Sequence, residues 1–187
     1  MKYYEEYASR LSDLLKEYDW TNVDILVNDI VLCWKRKKRV FLCGNGGSAS
    51  NANHLANDLL YGASPGNGNG VNAVSLSSNA SVMTCISNDI SYDEVFSYQL
   101  SVMAGKGDLL IVFSGSGNSR NILKAIEKGR KIGMKTFGIL GYSGGRAKRL
   151  LDVPIHFKIN DMQIAEDCQQ IVGHMIMKRI FDKIKMC

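Results

Sequence analysis

Five short apolar runs, each bounded by polar turns and separated by helical patterns, limit what this chain can fold into. They are Val40 to Cys43, Val71 to Leu76, Leu109 to Phe113, Thr136 to Leu140 and Val153 to Phe157. Runs this short, ended by glycine or other turn residues, read as buried strands. Between them, Asn51 to Tyr61, Asp93 to Ala104 and Ser119 to Ile132 have helical spacing, the last with Ile122, Leu123, Ile126 and Ile132 on one stripe. The alternation predicts an α/β fold: a five-stranded, mostly parallel sheet covered by helices on both faces, with ligand loops at the carboxyl ends of the strands.

Helical segments flank that core. Tyr7, Leu11, Leu14 and Leu15 recur at helical spacing, and Thr21 or Asn22 is placed to cap a second helix carrying Ile25, Leu26, Ile30, Val31 and Trp34. Asp161 to Met186 is one long amphipathic pattern. A chain of 187 residues suits a single domain. Its expected parts are N-terminal helices over 1–38, an α/β core over 39–160 and a C-terminal helix over 161–187. The broad apolar faces of the flanking helices either wrap their own sheet or meet a second subunit, and a homo-oligomer is expected. Gly62 to Gly70, rich in Gly, Ser and Asn, reads as a loop.

Composition excludes several classes. Hydrophobic residues at 45% and charged residues at 22% rule out a disordered chain. No apolar stretch approaches the ~20 residues of a membrane span. The sequence Met1 to Glu6 has early acids and no apolar core of a secretory signal. Five cysteines, an odd number without a Cys-x-x-Cys pair, suit reduced thiols and a cytoplasmic protein. The net charge of +5 rests partly on the run Lys35 to Arg39. Without interleaved aromatics or a nucleic-acid motif, that run reads as cations closing a helix, so no nucleic-acid partner is expected.

Two polar loops stand at strand ends. Gly44-Asn45-Gly46-Gly47-Ser48 follows the Val40 strand, and Ser114-Gly115-Ser116-Gly117-Asn118-Ser119 follows the Leu109 strand. Each precedes a helix, whose N-terminus favours an anion. The second loop offers three hydroxyls and no lysine, which suits a sugar monophosphate better than a triphosphate with magnesium. Simple N-capping is the alternative use of its serines.

The titratable groups also pair up. His54 and Asp58 share a helix face, and Glu166 and His174 lie about 80° apart around the last helix. Two histidines and two carboxylates suit a zinc ion or a base–acid pair; packed or capping roles are the alternative. His156 falls in a strand and reads as structural. Asn88-Asp89 reads as a turn that either reaches a polyol or closes an Asx-turn.

Taken together, Cys43 to Ser48, His54, Asn88-Asp89, Ser114 to Ser119 and a C-terminal helix bearing His174 resemble the phosphoheptose isomerases among the sugar isomerase (SIS) domain proteins. The resemblance implies a flavodoxin-like three-layer sandwich, assembled as a homotetramer. It implies aldose–ketose isomerisation of sedoheptulose 7-phosphate to glycero-manno-heptose 7-phosphate for bacterial surface polysaccharides. By position it implies substrate contacts at Asn45, Gly46, Gly47 and Ser48, a phosphate cradle of Ser114, Gly115, Ser116 and Ser119, and sugar contacts at Asn88 and Asp89. It implies one zinc per subunit on His54, Asp58, Glu166 and His174, with Asp58 and Glu166 also facing substrate. The family usually has Glu at position 58 and Gln at position 166, so this chain shortens one donor and charges the other.

The expected chemistry runs through an enediol, with Asp58 and His174 as base and acid. Zinc would polarise the carbonyl. Two other readings remain open: isomerisation of another ketose phosphate, or a SIS protein that binds a sugar phosphate or a partner without catalysis.

Overall fold

The computed structural model describes residues 2–64, 66 and 68–186. Strands β1 (Val40–Cys43), β2 (Ala73–Ser75), β3 (Leu109–Ser114), β4 (Lys135–Leu140) and β5 (Val153–His156) form one sheet in the order β2-β1-β3-β4-β5. Every pairing is parallel, with Val40 beside both Ala73 and Leu109, so the sheet is wholly rather than mostly parallel. This is the doubly wound order of flavodoxin-like proteins, in which the chain reverses direction across the sheet between β1 and β3.

The alternating side chains of the central strands build two cores. Leu42, Ile111, Phe113 and Ile139 face one side, against α2 (Thr21–Lys35), α3 (Gly47–Asn57) and α8 (Met162–Lys185). Phe41, Leu110 and Val112 face the other, against α4 (Ala80–Asp89), α5 (Ser97–Met103), α6 (Arg120–Ile132) and α7 (Ala147–Leu150). Helix α8 buries Ile164, Cys168, Val172, Ile176, Ile180 and Ile184 at four-residue spacing, with Ala165, Gln169 and Gly173 buried beside the first three. Asp161 caps it, accepting from the backbone N–H of Gln163 at 3.1 Å and of Ile164 at 3.3 Å.

Helix α1 (Lys2–Lys16) buries no residue completely. Tyr7, Leu11, Leu14 and Leu15 pack half-buried on the core, and Tyr7 donates its hydroxyl to Asp167 at 2.6 Å. Among the described residues, no helix is long and apolar enough to cross a membrane. The basic run closes α2 as expected: the N–H of Arg36 bonds to the Leu32 carbonyl, and that of Lys38 to the Cys33 carbonyl.

Several local expectations are corrected. The expected cap at Thr21 or Asn22 falls to Trp20, and the Asp19 carboxylate binds the Thr21 N–H and hydroxyl instead. The third helix begins at Gly47, four residues before Asn51, and its last turn widens into a π-helix over Asp58–Gly62. The helix expected over Asp93 to Ala104 splits into a 3₁₀ turn (Tyr92–Glu94) and α5. There the Ser97 hydroxyl bonds back to Glu94 and competes with helix continuation. Asn88-Asp89 is no turn but the end of α4, a helix the apolar pattern did not reveal. Cys33, Cys43, Cys85 and Cys168 are unpaired thiols, while Cys187 lies outside the described residues, as do Pro65 and Asn67 in the expected loop.

Candidate active site

The glycine loop after β1 is held by one hydroxyl: Ser77 Oγ donates to the Gly44 carbonyl at 2.9 Å and accepts from the Gly44 N–H at 3.3 Å. Gly46 then turns at φ 56° and ψ −125°, a conformation open only to glycine, and starts α3 with no side chain to cap it. Helix α6 likewise starts at Ser119 with no side-chain cap. The two uncapped helix starts meet, leaving backbone donors and both dipoles available to an anion.

Between them lies a cavity of about 110 Å³ lined by Asn45, Ser48, Phe113, Ser114, Gly115, Ser116, Ser119, Met162 and Glu166. Ser114 Oγ accepts from the Gly117 N–H at 3.0 Å and Ser116 Oγ from the Asn118 N–H at 3.2 Å, so each hydroxyl keeps its hydrogen for a ligand. Whole-ligand sites span roughly 300–1,000 Å³. This cavity is too small for a whole sugar phosphate, and its size and donor content suit a phosphate group.

Helices α3 and α8 run side by side in the same direction, in three rungs. Gly47 lies against the Glu166 carboxylate, which a β-carbon there would strike. Asn51 Nδ2 donates to the Glu166 carbonyl at 3.0 Å and to Gln169 Oε1 at 3.1 Å. His54 Nε2 then meets His174 Nε2 at 2.9 Å and Asp58 Oδ2 at 3.4 Å. Gln170 Nε2 adds a 2.8 Å contact to His174 Nε2.

The donor atoms of His54, Asp58 and His174 all lie within 4.8 Å of one another. Two imidazoles and a carboxylate are a donor set that zinc accepts with an open fourth position. Tetrahedral zinc bonds of about 2.0–2.1 Å place neighbouring donors roughly 3.3 Å apart, near the 2.9 Å and 3.4 Å from His54 Nε2 to its two partners.

The SIS domain family matches residues 2–141. A phosphoheptose isomerase from Helicobacter pylori (strain P12) is 36% identical over 166 residues, covering 89% of this chain and 82% of its own length. The chain belongs to the phosphoheptose isomerase family. In three dimensions it is similar to the phosphoheptose isomerase from Neisseria gonorrhoeae, with a TM-score of 0.83 and 25% identity over 94% of this chain and 97% of that one. The Francisella tularensis phosphoheptose isomerase shares the fold with a TM-score of 0.86 at 22% identity, over 97% and 95% of the two chains.

Against what the phosphoheptose isomerase resemblance implied, the residues divide. Asn45, Ser48, Ser114, Gly115, Ser116, Ser119 and Glu166 line one cavity, with Gly46 and Gly47 forming the turn beneath it. His54, Asp58 and His174 converge, but Glu166 does not join them. Eight residues turn the helix only about 80°, yet carry it about 12 Å along its axis, so Glu166 reaches the cavity and His174 the cluster.

Asn88 and Asp89 do not line the cavity. Asn88 Nδ2 donates to Asp89 Oδ1 at 2.8 Å and Cys85 Sγ to Asp89 Oδ2 at 3.4 Å, so α4 occupies both carboxylate oxygens itself. The Asn88 amide, then the Cys85 thiol, hold the Asp89 carboxyl below its usual range. His156 is structural as expected: its Nε2 meets the Tyr142 carbonyl at 3.0 Å, and burial lowers its pKa.

Sequence reasoning missed Phe113 and Met162 in the cavity wall, and Gln170 beside His174. Met162 stands one helical turn before Glu166, which was the available signal.

Proposed function

We propose that this chain is an aldose–ketose isomerase that converts sedoheptulose 7-phosphate into glycero-manno-heptose 7-phosphate, supplying heptose for surface polysaccharide. The observation that carries the reading is a two-ended site on a single pair of helices. An anion-sized cavity lies at one end and a His–Asp–His cluster about 12 Å farther along α8, a spacing suited to an extended seven-carbon chain phosphorylated at one end. Curated relatives carrying the phosphoheptose isomerase name over most of this chain support the substrate.

Phosphate docks on Ser114, Gly115, Ser116 and Ser119 and on the two helix starts, which holds the reacting carbons in register. Asn45, Gly46, Gly47 and Ser48 border the bound sugar, and Glu166 accepts from its hydroxyls. At the other end Asp58 takes the proton from C1 of the ketose and leaves an enediol. His174 delivers a proton at C2, while the hydroxyl proton passes from O1 to O2 and the carbonyl moves to C1. General acid–base catalysis of this kind contributes about 10²–10⁴-fold.

Zinc, one per subunit, would be held by His54, Asp58 and His174 and would supply Lewis-acid polarisation of a carbonyl. The proton-transfer roles of Asp58 and His174 are those of the metal-free chain, because a metal ion on this cluster would take the same donor atoms. The chain functions as one SIS domain over 1–187, in a cytoplasmic homotetramer, without nucleic acid or membrane.

A panel of ketose phosphates tests the substrate. Turnover of sedoheptulose 7-phosphate at the highest kcat/KM supports the reading. Preference for another ketose phosphate would trace to the Asp58 and Glu166 departures, and no turnover of any would leave a binding protein.

A further inference from the structure

We infer that Asn121 and Tyr92 are positioning residues that lock the Asn45 carboxamide with its N–H toward the cavity, making Asn45 an obligate hydrogen-bond donor to phosphate or sugar oxygens. The ligand class rests on the isomerase reading above; the lock rests on hydrogen-bond polarity alone.

The polarity can be followed atom by atom. The backbone N–H of Ile122 donates to Asn121 Oδ1 at 2.9 Å, and a backbone N–H can only donate, so that end of the Asn121 amide is oxygen. The other end, Nδ2, therefore donates to Asn45 Oδ1 at 2.8 Å, and Asn45 Nδ2 returns a bond to Asn121 Oδ1 at 3.0 Å. The Tyr92 hydroxyl donates to the same Asn45 Oδ1 at 3.0 Å.

Both acceptor sites of Asn45 Oδ1 are thus filled, and one of the two Nδ2 hydrogens is used. What Asn45 has left for the cavity it lines is a single N–H. Reversing the lock would bury two donors face to face, because Asn121 is only 2% exposed.

The consequence is a cavity biased toward donors. Asn45 contributes an N–H, and Ser114 and Ser116 contribute hydroxyl hydrogens because their oxygens already accept from backbone. A phosphate dianion, which has only acceptors, fits such a lining. Neither Asn121 nor Tyr92 lines the cavity; both act through Asn45.

Three proteins carry the test: the unmodified chain, Tyr92→Phe and Asn121→Asp. Tyr92 is 50% exposed, so losing its hydroxyl leaves no buried void. Aspartate at 121 can only accept where Nδ2 donated, so it sets an oxygen against Asn45 Oδ1 and breaks the lock. Inorganic phosphate is titrated while the Asn45 side-chain amide is followed by ¹H–¹⁵N NMR, and KM and kcat are measured on sedoheptulose 7-phosphate.

The expected result is a phosphate-dependent shift of the Asn45 amide in the unmodified chain. Tyr92→Phe raises the phosphate Kd and the KM together by about three- to tenfold with kcat reduced less than twofold, and Asn121→Asp raises Kd more than tenfold. A purely structural role would lower Tm and leave Kd and KM alone. An unresponsive Asn45 amide, or a folded Tyr92→Phe protein with unchanged Kd, would overturn the inference. Phosphate binding with the expected Asn45 shift but no isomerisation would instead sink the isomerase reading and leave the lock standing.

Discussion

His54 Nε2 lies 2.9 Å from His174 Nε2, although 120 residues separate the two in the chain. Two facing imidazole nitrogens with Asp58 beside them make a three-donor site. One zinc ion per chain is expected by native mass spectrometry, and substituting His54→Ala or His174→Ala should remove it. Glu166→Ala should leave the zinc stoichiometry at one, because that carboxylate lies against Gly47 instead. Loss of zinc in Glu166→Ala would restore the four-ligand set and contradict the geometry.

Glu166 is the one ionisable group among the described residues lining the cavity, and it is an acid. A carboxylate beside a bound phosphate repels it, and removing that charge should tighten phosphate binding. Glu166→Gln is expected to lower the Kd for inorganic phosphate several-fold at low ionic strength, with the gain shrinking as salt is added. Calorimetric titration at two salt concentrations reads both effects. Weaker binding in the variant would mean that Glu166 holds the ligand rather than opposing it.

How much of this was legible beforehand depends on which physical signal each feature carried. The strands announced themselves because β1 and β3 are buried on both faces and read as unbroken apolar runs. Much of the cavity lining was legible because it sits in two polar loops at strand ends, where α/β folds place ligand loops. Helix α4 was not legible: of its residues only Ile86 is fully buried, so it shows no apolar stripe. The separation of Glu166 from His174 was not legible from the angle around α8, which leaves out the rise along it. Asn121 escaped notice because its role depends on a partner 76 residues away.

Away from the site, Glu94 joins two elements, bonding to Ser97 at the start of α5 and pairing with Lys124 of α6 at 2.5 Å. The Lys124 ammonium, then the Ser97 hydroxyl, hold the Glu94 carboxyl below its usual range. A carboxylate depressed in the folded state contributes stability that is present above its unfolded pKa and lost as pH falls through the folded one. Solvent reaches both partners, so the contribution is at most about 1 kcal/mol. Glu94→Gln should therefore unfold at a lower urea concentration than the unmodified chain at pH 7, with the gap closing toward pH 3. A gap that stays constant across that range would show that charge plays no part.

The central claim is that the cavity and the His–Asp–His cluster act on one substrate through proton transfer. Incubation with sedoheptulose 7-phosphate in heavy water, followed by NMR, addresses it directly. The unmodified chain should form the aldose with deuterium at C2, and Asp58→Asn should bind phosphate yet form none. No aldose and no exchange, with zinc or without it, in folded protein that still binds phosphate, would contradict the account.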